Sequence, residues 1–135
     1  MALFEWKQQY SVSVKQFDLD HQKLFSLVNE LNDAMAQGQG RLVVGSVLQR
    51  LLQYARDHFA AEEAAMRAVA FDGLPVHVAE HRELTEKVQK FAEEYSKGST
   101  SVTIDVLYFL RDWLEHHVCQ TDHEYAKPLS QRGIR

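Results

Sequence analysis

At 135 residues, 45% of them hydrophobic, the chain is long enough to bury one core and too short for two domains of ordinary size. A formal charge of −4, with the basic residues scattered rather than gathered into a stripe, argues against nucleic acid as a partner. No stretch approaches the roughly 18 consecutive apolar residues of a membrane span, and the start, Met1-Ala2-Leu3-Phe4-Glu5-Trp6, lacks the basic and apolar regions of a signal peptide. No stable membrane insertion is expected, and the cytoplasm is the expected compartment.

Residues 1–18 contain Phe4, Trp6, Tyr10, Val12 and Val14, too apolar for a disordered tail and too irregular for a helix, so an ordered arm packed across the rest is expected. From about 19 to 37, His21, Leu24, Phe25, Val28, Leu31 and Met35 recur at helical spacing until Gly38 and Gly40 end the run. A second helix, about 41–67, carries Val44, Leu48, Leu51, Ala55, His58, Glu62 and Met66 on one stripe and dissolves into Phe71-Asp72-Gly73. The third, about 74–96, has Pro75 in its first turn, where proline is tolerated, and steps through Leu74, His77, His81, Leu84, Val88, Phe91 and Tyr95 to Gly98. Ser99-Thr100-Ser101 forms a capping stretch before a fourth helix, about 101–119, striped by Leu107, Leu110, Leu114 and His117, with Tyr108, Phe109 and Trp113 adding bulk. Short connections make neighbours antiparallel. The expected fold is all-α: an up-down-up-down four-helix bundle forming a single domain over 1–135, with an ordered N-terminal arm and a short C-terminal helical turn within 120–135.

Polar groups enter the apolar stripes at particular points. Any one histidine on such a stripe is usually a hydrogen-bonded core residue, but His21, His58, His77, His81 and His117 fall on the inward stripes of all four helices, and buried imidazoles need partners. Residues four apart on a helix differ by only about 40° around its axis, so His77 and His81 can grip one ion, and His58 and Glu62 stand one turn apart. A buried Glu62 would otherwise be protonated or paired. Asp122 is the candidate carboxylate from the fourth helix, although five residues after His117 it would lie about 140° away on a continuing α-helix. Thr121-Asp122-His123-Glu124 has the form of a capping box, which predicts that the helix ends near Cys119 and that the break swings Asp122 back; a solvated aspartate in a terminal turn is the alternative. Cys119, the one cysteine, has no partner for an internal disulfide and reads as a small buried group.

The ordered string of one His, then His-x-x-x-Glu, then His-x-x-x-His, then His-x-x-x-x-Asp, one group per helix, resembles the bacteriohemerythrins, the single-domain prokaryotic branch of the hemerythrin family. The likeness runs from Trp6 to Asp122 and includes Tyr10-Ser11-Val12, Asp18-Leu19-Asp20-His21-Gln22-Lys23-Leu24 and Trp113-Leu114-Glu115-His116-His117. It implies a non-haem centre of two iron ions joined by an oxo or hydroxo bridge, with His77, His81 and His117 on one iron, His21 and His58 on the other, and Glu62 and Asp122 bridging. Two octahedral ions offer roughly twelve positions and these ligands with the bridge fill about eleven, so the two-histidine iron keeps an opening for O2. The resemblance places Leu24, Phe59, Trp113, Leu114 and Val118 around that opening. His116 and His123 are surplus, expected to be exposed or behind the ligands, and Asp18 either hydrogen-bonds behind a ligand or caps the first helix.

The implied function is reversible O2 binding for storage, transport or delivery, by a monomer that is not an enzyme and whose recipient is an oxygen-consuming enzyme. A diiron sensor or enzyme on the same frame, responding to O2, nitric oxide, peroxide or redox state, is the alternative, and zinc or manganese can compete for the same ligands. A ferritin-like oxidase is excluded by its paired Glu-x-x-His signature, since none of the seven histidines here has Glu three places before it. A metal-free interaction module leaves five core histidines without a reason.

Overall fold

The computed structural model describes residues 3–99 and 101–135; the parts of the expected arm at Met1 and Ala2, and Thr100 of the expected capping stretch, lie outside the described residues. Four long helices follow in order, α1 (Lys15–Ala36), α2 (Gly40–Ala68), α3 (Leu74–Ser96) and α4 (Val102–His116). A five-residue π-helical turn, His117–Thr121, then joins α4 to a fifth helix, α5 (His123–Gln131). Connections of a few residues leave each helix no choice but to fold back along the previous one. The helices pack in ring order, α1 on α2, α2 on α3, α3 on α4 and α4 on α1, giving the up-down-up-down bundle.

The stripes read from the sequence are the inward faces: Val44, Leu48, Leu51, Ala55, His58, Glu62 and Met66 are all buried, as are Leu107, Leu110, Leu114 and His117. Tyr108, expected to add bulk, is instead 49% exposed. The first helix begins at Lys15, about four residues before the expected start, because Phe17 extends the buried stripe one turn ahead of His21. Gly38, at φ +73°, ends α1, but Gly40 opens α2 rather than closing α1. A methyl group on Gly40 would sit 2.4 Å from Cγ of Met35, so the tight approach of the α1–α2 corner requires glycine there. Ser101 stands before α4 without a side-chain bond to the helix. The C-terminal element is longer than the short turn expected, with Tyr125 and Leu129 fully buried.

The described part of the arm is ordered. Phe4 stacks on Phe25 of α1 at 4.6 Å, with Trp6 and Tyr10 against the same ring, and the Asn29 amide bonds both the N–H and the carbonyl of Phe4 at 2.8 Å. Asp18 accepts from the Ser11 hydroxyl at 2.6 Å and the Val12 N–H at 2.8 Å. It therefore neither backs a ligand nor caps α1; it lies inside the first turn and ties the arm to the helix. Among the described residues two apolar clusters result. The larger fills most of the bundle, and a smaller one joins Val12, Val14 and Phe17 to Met66, Tyr125 and Leu129. Phe59 from the first and Tyr125 from the second approach the same polar group of side chains between them.

Candidate metal centre

Each long helix delivers its inward polar residues to one level of the bundle. His21 comes from α1, His58 and Glu62 from α2, His77 and His81 from α3, and His117 and Asp122 from the two ends of the π-turn and its boundary with α5. All seven are no more than 3% exposed, which rules out a solvated role for Asp122. They form two quartets, His77, His81, His117 and Asp122, and His21, His58, Glu62 and Asp122, each with ligand atoms within 4.8 Å of one another.

Asp122 belongs to both. Its Oδ1 lies 2.8 Å from Nε2 of His77 and 3.1 Å from Nε2 of His117, while Oδ2 lies 3.0 Å from Nε2 of His21. Glu62 also spans the sets, with Oε1 3.2 Å from Nε2 of His58 and 3.3 Å from Nε2 of His81, and Oε2 3.4 Å from Nε2 of His21.

Asp122 reaches the site by a different backbone route from the one expected. The chain does not stop near Cys119 and restart with a capping box: the Asp122 N–H donates to the carbonyl of His117 at 2.8 Å, an i→i+5 bond, and helix continues through it. In a π-turn residues five apart stack on one face, so the 140° misalignment of an α-helix disappears. The Thr121 hydroxyl that would have capped α5 instead donates to Glu80.

Whether metal fits is decided by the polar atoms left over. His21 Nε2, His58 Nε2, Glu62 Oε1 and Asp122 Oδ2 are buried and have no hydrogen-bond partner, although each lies within 3.4 Å of another ligand atom. Groups that meet at contact distance without aligning are aimed at a common point rather than at each other, and cations at that point would satisfy them. Without metal, protons take their place. Burial pushes the His21 imidazole down, but the carboxylates of Asp122 and Glu62 outweigh it and raise it to about 10. His117 rises to about 9, again against burial, through Asp122, Glu62 and Glu80. Burial works to raise Glu62 and Asp122, yet the surrounding histidines hold both below the usual carboxylate range.

Residues 12–129 match the hemerythrin HHE cation binding domain. The chain belongs to the hemerythrin family. It is 32% identical over 131 residues to the bacteriohemerythrin of Methylococcus capsulatus, covering 96% of this chain and 99% of that one. It is 23% identical to the myohemerythrin of Theromyzon tessulatum, covering 93% of each. The crystal structure of wild-type hemerythrin superposes with a TM-score of 0.85 at 32% identity, over 96% of this chain and 99% of that chain.

Around this hemerythrin site stand residues that the stripes alone do not reveal. Asp20 accepts from Nδ1 of His58 at 2.8 Å, Glu63 from Nδ1 of His81 at 2.8 Å and Glu80 from Nδ1 of His117 at 2.9 Å, which turns each Nε2 toward the centre. Each carboxylate adjoins a ligand in sequence but serves a ligand on the next helix. Stepping back one residue on α1 or α3 and forward one on α2 turns a side chain about 100° in the same sense, because the helices alternate direction. The corresponding residue after His117 is Val118, an apolar group, and Nδ1 of His21 has no partner. Tyr125 of α5 donates its hydroxyl to Glu62 Oε2.

The five residues expected around the O2 opening are all buried in the larger apolar cluster. Phe59 stacks on His81 at 3.8 Å and Trp113 on His117 at 4.3 Å, so these two rings wall the three-histidine set; Leu24, Leu114 and Val118 are no more than 1% exposed. The surplus histidines differ from each other: His116 is exposed, 3.9 Å from Glu80, and His123 is half-buried. Cys119 is half-buried and burial pushes its thiol up to about 11, the inert state of a packed cysteine. Among the described residues no helix is long and apolar enough to cross a membrane.

Proposed function

We propose that this chain binds O2 reversibly at a carboxylate-bridged pair of iron ions, for storage, transport or delivery to an oxygen-requiring enzyme, and does so as a monomer without turning over a substrate. The carrying observation is the pair of buried quartets that share Asp122. Five imidazoles, two carboxylates and no thiolate make a donor set that suits iron or manganese. When bound, a pair of iron ions supplies the two electrons that O2 takes up and gives back.

The protein's part is positioning and exclusion. Asp20, Glu63 and Glu80 keep protons on Nδ1 of His58, His81 and His117, leaving the Nε2 lone pairs for metal. Tyr125 holds Glu62 from the far side. His21 and His58 offer one imidazole fewer than His77, His81 and His117, so the smaller set has the position for a ligand from outside. Leu24, Phe59, Trp113, Leu114 and Val118 present carbon and ring surfaces that keep water and stray protons out.

The test is to load the protein with iron, reduce it without air, admit O2, and record iron per chain and the visible spectrum. Two irons per chain and a band that appears with O2 and fades when O2 is pumped away support the reading. Fewer irons, no band, or steady consumption of a reductant sinks it, the last in favour of a diiron enzyme on the same frame.

A further inference from the structure

We propose that Glu80 is a positioning residue for both metal sites, because its single carboxylate fixes the two ends of the π-turn that aims Asp122. This rests on the reading of the two quartets as a metal pair. One Glu80 oxygen, Oε1, accepts from Nδ1 of His117 at 2.9 Å and from the Thr121 hydroxyl at 3.1 Å, and Oε2 lies 3.3 Å from the same hydroxyl. His117 is the first residue of the π-turn and Thr121 the last. The carboxylate thus clamps the turn against α3, one residue before His81.

The clamp matters because, beside the backbone bond from the Asp122 N–H to the His117 carbonyl, it ties both ends of the turn to a neighbouring helix through one side chain. A π-turn is rare, and the competing α-helix closes each hydrogen bond one residue sooner. Asp122 has no side-chain bond of its own to the helix it precedes, and its oxygens meet only imidazoles. If the turn relaxed to α-helix, Asp122 would swing away from both quartets together. Glu63, by contrast, bonds His81 and, among the described residues, makes no hydrogen bond to the turn. The two glutamates are therefore alike as histidine partners and unlike in reach: Glu63 serves one quartet, whereas Glu80 serves His117 in one and Asp122 in both.

The experiment is a titration of the metal-free protein with cobalt(II), whose visible absorption counts occupied sites and reports their affinities. Wild type takes up two ions per chain. Glu80→Ala weakens both sites by about 10- to 100-fold, the range typical of lost outer partners, while Glu63→Ala weakens one. Thr121→Val keeps the His117 bond and removes only the clamp on the turn, so it weakens both sites, by roughly tenfold at the low end of that range. Glu80→Gln keeps a carbonyl oxygen able to accept both bonds and restores most of the affinity lost in Glu80→Ala. Loss at one site only in both Glu80→Ala and Thr121→Val overturns the positioning role and leaves the metal pair standing. A wild type that takes up fewer than two ions overturns the metal pair itself, and the positioning role falls with it.

Discussion

Replacing Tyr125 by Phe removes one oxygen and little else. The ring stays packed against Phe17 at 5.8 Å and His77 at 5.5 Å in a fully buried position, so no cavity opens and the loss is confined to the bond from the hydroxyl to Glu62. Oε1 of Glu62 already lacks a hydrogen-bond partner, and without the phenol Oε2 keeps only Nε2 of His21 at 3.4 Å. A hydrogen bond to a charged group contributes about 1.5–3 kcal/mol, and a buried acceptor left bare forfeits all of it. For a chain of this length each kcal/mol moves the thermal midpoint by about 3–5 °C, so Tyr125→Phe lowers the metal-free midpoint by roughly 5–15 °C. Urea unfolding of the metal-free protein, followed by circular dichroism, gives the free energy directly, and Tyr125→Leu serves as a control that also loses ring packing and falls further. A Phe variant within about 0.5 kcal/mol of wild type, the scatter of neutral surface changes, would refute the claim that Tyr125 carries Glu62.

Other outcomes follow from the same geometry. Folding raises His21 from 6.5 to about 10 and His117 from 6.5 to about 9, so their contribution to metal-free stability is complete below pH 6.5 and is lost as pH climbs through about 9 and then about 10. Urea midpoints taken across that interval should fall, and a flat profile would count against protons filling the site. Leu114→Ala truncates a fully buried side chain, costs about 2–5 kcal/mol, leaves iron bound and shortens the life of the oxygenated form; an unchanged decay rate would remove Leu114 from the pocket. Asp18→Ala deletes both bonds that fasten Ser11 and Val12, worth about 1.5–3 kcal/mol each for a charged acceptor, and protease cutting within the arm should quicken. Equal cutting rates would mean that the Phe4, Trp6 and Tyr10 packing on Phe25 suffices.

What the sequence discloses is whatever repeats at helical spacing. His58 and Glu62, or His77 and His81, interrupt apolar stripes at the intervals that bring them to one face, so the bundle and six of the seven candidate ligands can be read from periodicity. The one ligand off period, Asp122, demands a break after His117, but nothing in Val118-Cys119-Gln120-Thr121 distinguishes a π-turn from a helix end followed by a cap. The choice falls to Glu80, forty-one residues from Thr121, which takes the hydroxyl that the cap would have used. Asp20, Glu63 and Glu80 are invisible for a related reason. They sit on the shoulders of their helices, where charged residues are ordinary, and their partners lie on other helices. A usable signal exists: an acidic neighbour before the ligand on upward helices and after it on downward ones. Tyr125 lies beyond the last stripe, on a helix whose docking no spacing rule anticipates.

The π-turn also makes the aim of Asp122 a matter of hydrogen-bond register. The five-residue spacing from His117 to Asp122 faces the site only while the i→i+5 bond holds: wound as ordinary α-helix the two residues would stand about 140° apart, whereas a chain one residue shorter would bring them to one face, about 40° apart, without any π-turn. A chain shortened in this way would keep the group that both quartets share, whereas one lengthened by a residue would turn it about 120° away. Composition would give no hint of either change, yet an insertion in this five-residue window should disrupt the two quartets far more than a deletion does.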